Sequence, residues 1–588
     1  MKLLKNKKFE ICLWVVAVAL LCYYALEVSC LNYLFNGWLY TPVNILCVLS
    51  VISLVYLFVR RWWIASGTVS ILTVVLSFIN YYTVKFKGQP VSTQDIHNAG
   101  TALNVLDSYK FEIGIPIIVV IAIGFLLLLL ILKMRKEEEK KKIIPELIKT
   151  AIIPLLVFVF AFGMFFSENS VKPKLTIVWS WKEAYKNYGF IPETIEIMQS
   201  SLNPVTEPEG YSNEKVNKLE IENVETKNET PDIIFILNET LYDVSTIMDI
   251  ETDIDYMPNI RNMENAIKGS VIVPGLGGGT NRSEFEFLTG NSNQLTQGIT
   301  PFNSLNFNNS NTAVSHLEKL GYRTWSAHPA EGMNYSRQRA YPAMGFDEIR
   351  FTEDFTDKDF YGKRPYLTDK MAYKKMLEDY GKMGDNPRFM YLLTIQNHGN
   401  WDILSEEDYF VRTKTDLGEN TDDMNEFLSC MYLSDMAFKE LTDKLSETDR
   451  KVIVCMAGDH CPSFLSDMLS EENSQEMSLK KRATPFIIWA NFPIQEGNKD
   501  MISLNYLLPL TLKTAGVKLS PYYSYMLDMM EEVPVTTAFN VYVDKNGEAK
   551  EYGEDGEYRD KVNGYLYLEY NNIGTGAKRN QTLFEPVK

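Results

Sequence analysis

Apolar positions along this chain fall into two regimes. In the first third they run together. Five segments, about Phe9–Cys30, Tyr40–Val59, Trp62–Tyr82, Ile113–Leu132 and Ile148–Phe166, approach the ~20 apolar residues needed to cross a bilayer. After a polar stretch from about Asn203 to Thr230, with Pro204 and Pro208, the apolar runs become short. "IIFIL", "RFMYLLTI", "KVIVCMAG" and "TPFIIWA" are apolar at consecutive positions, which predicts strands buried on both faces. "NTAVSHLEKLGY" and "KMAYKKMLEDYGKM" have helical spacing between them. Strands alternating with helices predict an α/β domain with a largely parallel central sheet. The expected organisation is a five-span α-helical membrane domain over 1–167, juxtamembrane helices and a linker over 168–230, an α/β domain over 231–545, and an extension over 546–588. The extension is rich in Gly, Asn and Tyr and is expected to add a small antiparallel set of strands.

Basic residues orient the spans. Lys2, Lys5, Lys7 and Lys8 precede the first, Arg60 and Arg61 join the second to the third, and "KMRKEEEKKK" joins the fourth to the fifth. All three clusters then lie on the cytoplasmic side. The amino terminus is expected inside and everything beyond about Ser167 outside, in a multi-pass protein of the bacterial cell membrane. No A-x-A-like cleavage signal follows the fifth span, so the outer domain is expected to stay tethered. Trp179, Trp181, Tyr185 and Tyr188 of "VWSWKEAYKNYGF" suit either the headgroup region or packing against the soluble domain. Glu27 is costly within a span and is expected near the outer end, where water reaches it.

A net charge of −17 argues against a nucleic-acid partner. Of seven cysteines, Cys12, Cys22, Cys30 and Cys47 lie in apolar runs, and no C-x-x-C occurs, so neither a zinc site of that type nor a disulfide framework is indicated. Three predicted strands deliver polar residues at their carboxyl ends, where α/β sheets bind ligands. These are Asn238-Glu239-Thr240, Gln396-Asn397-His398 and Asp459-His460, in a chain with only five histidines. In "VPGLGGGTNRSEFEFLTG", Gly277, Gly278 and Gly279 clear side chains away just before Thr280 and a helix. Thr280 can cap that helix, but a pure cap does not need three preceding glycines.

"FILNET", "GGGTNRSEF", "HPAEGMNYSR", "NHG" and "AGDH" come in the order found in the lipoteichoic acid synthase family, which this chain resembles over all but about its last ~40 residues. Those are five-span membrane enzymes with an extracellular domain of the alkaline phosphatase and sulfatase superfamily. The resemblance implies that Glu239, Thr280, Asp459 and His460 hold one divalent ion, manganese ahead of magnesium. It implies Thr280 as nucleophile, His398 as the proton-transfer histidine, and His328, Tyr335 and Arg337 as the headgroup pocket, with the Arg337 guanidinium able to grip phosphate as a fork. Oxygen ligands suit a hard cation and one imidazole admits manganese. The implied reaction moves glycerol phosphate from phosphatidylglycerol through Thr280 to a lipid-linked glycerol phosphate or glycan acceptor. Tyr335 stands where the family has tryptophan, and Ala330, with Glu331 beside it, where the family has an acid. A phosphoethanolamine donor or a hydrolase is the alternative. "TNRSEF" lacks the Cys or Ser and the proline of a formylglycine sulfatase, and a two-metal phosphatase needs more ligands than these motifs supply.

Overall fold

The computed structural model describes residues 7–32, 36–87, 91, 113–138, 181–195, 204–297, 299–332, 334–469 and 474–587. They form two compact units, 1–202 and 203–588.

In the first unit α1 (Lys7–Ser29), α2 (Gly37–Val59), α3 (Trp62–Lys87) and α4 (Ile115–Glu138) pack together. All four contain stretches long and apolar enough to cross a membrane. The fifth expected span, Ile148–Phe166, lies outside the described residues. Glu138 at the end of α4 accepts from Trp62 N and Trp63 N at 3.1 and 3.0 Å, placing a carboxylate on the donor-rich start of α3.

Glu27 departs from the expected contact with water: it is 0% exposed. Its Oε1 accepts from Phe190 N at 2.8 Å, and its Oε2 accepts from Asn32 Nδ2 at 2.8 Å and Asn36 Nδ2 at 3.1 Å. Asn36 also donates to Tyr185 O and Lys186 O. Asn44 donates to Tyr188 O at 2.8 Å and accepts from Ile191 N at 3.1 Å. These side chains staple α5 (Trp181–Tyr188) and the turn after it onto α1 and α2. Tyr185 is buried with Leu26, Cys30 and Phe190, and Tyr188 meets Tyr40 edge-on. The described part of the aromatic segment therefore packs on its own membrane helices.

The second unit is built on eight strands: β1 (Asp232–Asn238), β2 (Ala266–Ile272), β3 (Arg323–Ala327), β4 (Glu348–Arg350), β5 (Arg388–Leu393), β6 (Val452–Gly458), β7 (Ala483–Ala490) and β8 (Gly497–Ser503). Their order is β4-β3-β5-β1-β6-β7-β2-β8. All neighbours pair in parallel except β7, which runs against both β6 and β2. On β1, Ile233, Phe235 and Leu237 enter one core and Ile234 and Ile236 the other, which is why its apolar residues do not alternate with polar ones. Gly458 closes β6, where an added Cβ would lie 2.0 Å from Leu241 O.

Helices α6 (Thr280–Thr289), α7 (Arg337–Met344) and α8 (Thr421–Ser446) follow in chain order and frame the site. The tail forms β9 (Val535–Thr536), β10 (Val541–Val543) and β11 (Ala549–Glu551), an antiparallel set, and then α9 (Arg559–Ile573). Tyr565 and Leu568 of α9 belong to the main core, so this segment is part of the domain's packing.

Candidate active site

Asn238 at the end of β1 is in register with Gly458 at the end of β6, so Glu239 and Asp459 leave the sheet side by side. Ligand atoms of Glu239, Asp459 and His460, all buried, lie within 4.8 Å of one another. His460 Nε2 is 3.4 Å from Glu239 Oε1, 3.2 Å from Asp459 Oδ2 and 3.4 Å from Thr280 Oγ1. His460 Nδ1 is 3.0 Å from Cys461 O, which only accepts. That contact keeps the proton on Nδ1 and turns the Nε2 lone pair toward the three oxygens. Asp459 Oδ1 accepts from Thr240 N at 2.7 Å, whereas Oδ2 is buried and accepts no hydrogen bond, with His460 Nε2 3.2 Å away.

This donor set fits a hard dication: two carboxylates, one imidazole, one hydroxyl, and an acceptor atom with nothing to accept from. Three such groups cannot all carry charge in a dry pocket. Burial, and then the Glu239 charge, raise Asp459 to about 7. Burial opposes a charged His460, but the Asp459 and Glu239 carboxylates outweigh it and raise the imidazole. A bound cation would replace the protons these groups otherwise retain. The neighbouring Cys461 is unsuited to a ligand role, since burial pushes its thiol up to about 12.

Thr280 reaches this cluster because of the loop after β2. Gly275 passes so close that an added Cβ would lie 2.6 Å from Gly278 O and 3.2 Å from His460 Cβ. Gly279, at φ 93°, is the N-cap of α6. Thr280 is therefore the first helical residue and does not cap the helix. Its hydroxyl faces His460, and the free amides at the start of α6 give that place a positive field. Ser283 Oγ donates to Asp459 O at 2.6 Å and fixes α6 against the end of β6.

His398 sits on the loop after β5, exposed, its Nδ1 2.8 Å from Gly399 O and 3.2 Å from Tyr366 Oη. It is close enough for its charge to act on Glu239 and His328. His328 is buried at the end of β3, its Nδ1 3.2 Å from Leu393 O. Burial first, and then the Arg337 charge, hold it well below the usual imidazole range, so the ring is neutral. Arg337 does not present the expected open fork. Its Nε and Nη2 both donate to Glu284 Oε2, at 2.9 and 2.6 Å, and its Nη1 lies 3.5 Å from Asn334 O. Glu284 Oε1 also accepts from Tyr341 Oη and Tyr391 Oη. Because Glu284 stands one turn along α6 from Thr280, the pair joins the start of α7 to the helix that carries Thr280. Tyr335, at φ 53°, keeps its ring 38% exposed and 5.1 Å from that guanidinium.

Sequence reading missed Arg364 and Glu426, a buried ion pair behind His398. Arg364 donates to His398 O at 2.5 Å and Asn400 O at 2.9 Å, and Glu426 accepts from Ile403 N and Leu404 N. It also missed Asp369, which accepts from Asn238 and Ser434 beneath the strand ends. No local pattern marks these residues, because their partners are distant in the chain.

The geometry is that of a sulfatase-type domain, and residues 231–517 match the Sulfatase family model. The second unit has a sulfatase-like fold. Among solved structures it is similar to the Streptococcus pyogenes phosphoglycerol transferase GacH in complex with sn-glycerol-1-phosphate. The two are 20% identical with TM-score 0.54, covering 66% of this chain and 100% of that one. The lipoteichoic acid synthase LtaP from Listeria monocytogenes is 17% identical with TM-score 0.43, covering 61% of this chain and 98% of that one. A putative cyclic beta-1,2-glucan modification protein of Rhizobium meliloti is 26% identical over 369 residues, 60% of this chain. The chain spans 56% of that relative's length.

Proposed function

We propose that this protein is a metal-dependent phosphoglycerol transferase of the cell membrane that uses Thr280 as a covalent relay. The observation that carries the reading is the Thr280 hydroxyl, 3.4 Å from His460 Nε2, aimed into a carboxylate cluster whose Asp459 Oδ2 accepts no hydrogen bond. When bound by Glu239, Thr280, Asp459 and His460, a divalent ion, manganese or magnesium, lowers the pKa of the threonine hydroxyl and offsets phosphate charge. Thr280 Oγ attacks the phosphorus of phosphatidylglycerol. The bond from phosphorus to the diacylglycerol oxygen breaks, and His398 gives that oxygen a proton. In the second half, His398 takes the proton of an acceptor hydroxyl, which attacks the phosphorus and releases Thr280. His328, Tyr335 and Arg337 hold the glycerol phosphate headgroup, and the start of α6 faces its phosphate. The membrane helices keep the domain where lipid donor and lipid-linked acceptor both reside. A lipid-linked glycerol phosphate chain and a surface glycan both supply a suitable hydroxyl, and the glucan-modifying relative supports the glycan.

Mass spectrometry of the full-length protein incubated with phosphatidylglycerol and manganese tests this reading. A glycerophosphoryl adduct on Thr280 is expected. An adduct on another residue, or free glycerol phosphate released with no adduct at any time, refutes it in favour of a hydrolase. A phosphoethanolamine adduct formed from phosphatidylethanolamine alone reassigns the donor.

A further inference from the structure

Nine described residues other than glycine have a left-handed backbone. Thr240, at φ 52°, is the β-branched one among them, and a branched side chain is among those least suited to that conformation. It is fully buried. It occupies the third position of the turn that follows β1, which Leu241 N closes by donating to Asn238 O at 3.3 Å. Glycine or asparagine is the ordinary choice for a left-handed residue there. Strain of this kind persists only where the surroundings impose it, and it gathers at functional sites.

The surroundings of Thr240 are the two carboxylates of the candidate site. Its N–H donates to Asp459 Oδ1 at 2.7 Å, and its hydroxyl donates to Glu239 Oε1 at 2.9 Å. One residue therefore holds both acids. The turn comes this close to β6 because Gly458 has no side chain to meet Leu241 O. On the other side of β1, Glu239 N donates to Thr394 Oγ1 at 3.1 Å and Thr394 N donates to Leu237 O at 3.1 Å, so the end of β1 is also tied to the end of β5. With Asp459 Oδ1 taken, Oδ2 is the oxygen left toward His460 Nε2, 3.2 Å away, and Glu239 Oε1 lies 3.4 Å from the same nitrogen. A glycine at position 240 would supply the N–H without strain and no hydroxyl. The threonine is strained and supplies both.

We propose that Thr240 is a positioning residue for the cation site, its hydroxyl and N–H together fixing Glu239 and Asp459 at the spacing a divalent ion requires. This rests on the ligand set of the proposed function and adds to it a residue that does not itself touch the ion. Hydrogen bonds to a ligating carboxylate orient it and hold it ready, and a hydroxyl that donates to a charged acceptor makes a short, strong bond. The strained turn is the cost of placing a hydroxyl where glycine has none.

The test is a manganese titration of the full-length protein in detergent, with free Mn²⁺ followed by electron paramagnetic resonance, a readout independent of turnover. Thr240→Gly keeps the N–H and removes the hydroxyl. It should weaken the manganese Kd about tenfold, the lower end of the loss when a partner of a metal ligand is removed. Thr240→Ala, which also lacks the hydroxyl, should show the same loss and stands in should the glycine variant not fold. Thr240→Ser restores the hydroxyl and should return Kd to near the parent's value. A parent-like Kd in both Thr240→Gly and Thr240→Ala overturns the assignment. So does a Kd in Thr240→Ser as weak as in Thr240→Ala, since the loss would then follow the methyl group and its packing. A parent that binds no divalent ion overturns this inference and the ligand set together. Should the parent bind manganese yet form no Thr280 adduct, the transferase reading fails while the titration still decides the role of Thr240.

Discussion

Glu27 in the membrane unit and Asp459 in the soluble domain are both fully buried carboxylates, and their surroundings differ in one respect. Both oxygens of Glu27 accept hydrogen bonds, from Phe190 N on one side and from Asn32 and Asn36 on the other. One oxygen of Asp459 accepts from Thr240 N, and the other accepts from nothing. A buried acid whose acceptors are all filled has finished its work inside the protein. One left half-filled beside a second carboxylate and an imidazole is arranged for something that comes from outside. The first holds a segment in place, and the second marks a site.

The sharpest way to break this comparison is at the transfer site. Thr280→Ala should lower transfer by at least about 10³-fold, as loss of a nucleophile does elsewhere, with unchanged membrane insertion. Asp459→Ala should do the same while also lowering the manganese content of the purified protein, measured by elemental analysis. Chelation of the parent should abolish transfer and manganese should restore it, raising Tm through binding, by about 2.7 kcal/mol of stability at 100 times Kd. Full activity in Thr280→Ala, or full metal content in Asp459→Ala, would show that the open acceptor atom has been misread.

A smaller effect is expected behind His398. Arg364→Lys keeps a charge beside Glu426 but loses the fork that holds His398 O and Asn400 O. It should lower kcat by up to about 10²-fold, the lower end of the roughly 10²–10⁴-fold span of general acid–base catalysis. Metal content and Thr280 adduct stability should not change. An unaltered kcat would show that the ion pair serves packing alone.

Glu27→Ala should leave transfer chemistry intact and loosen the segment around Tyr185 and Phe190, because three donors lose their acceptor. Each unsatisfied buried donor costs about 1–3 kcal/mol. Faster proteolysis within 181–195 of the protein in detergent, with unchanged manganese content, is the expected result. A loss of manganese in this variant would blur the distinction between the two acids.

The smallest effect concerns acids of an intermediate kind. Glu286 accepts from Asn293, and Glu569 from Ser292, yet burial raises both to about 8. A carboxyl whose folded pKa is raised binds a proton that the unfolded chain has released. Their contribution is therefore complete below the unfolded value, about 4.3, and is lost as pH rises through about 8. Tm should fall across that window, and Glu286→Gln should flatten the slope. A Tm rising from pH 5 to 8 in both proteins would refute the assignment.

Much of this architecture is legible in the sequence because its elements announce themselves locally. Strands buried on both faces read as unbroken apolar runs, so β1, β5, β6 and β7 stand out, and with them Glu239, His398, Asp459 and His460 at or beyond their ends. What sequence reading misses depends on distant partners. Burial of Glu27 needs the amide of Phe190, and the Arg337 fork is taken by Glu284 on another helix. Arg482 is buried with no acidic partner among the described residues, which no local pattern shows. Thr280 reads as a possible cap since threonine favours that position, but Gly279 takes the cap and moves the threonine one place inward. Helix α9 is hidden for another reason. Its Tyr- and Asn-rich sequence has modest helix propensity, and burial of Tyr565 and Leu568 in the core stabilises it instead.

The strut from Arg337 to Glu284 has a mechanical consequence. It clamps the start of α7 and the helix bearing Thr280, which we propose carry the headgroup pocket and the nucleophile, into one rigid piece, so a distortion on either side is transmitted to the other. Donor choice and catalytic rate are then hard to adjust separately through Arg337. Under the proposed function, redesign of headgroup preference belongs instead at Tyr335 and Ala330 of the same segment.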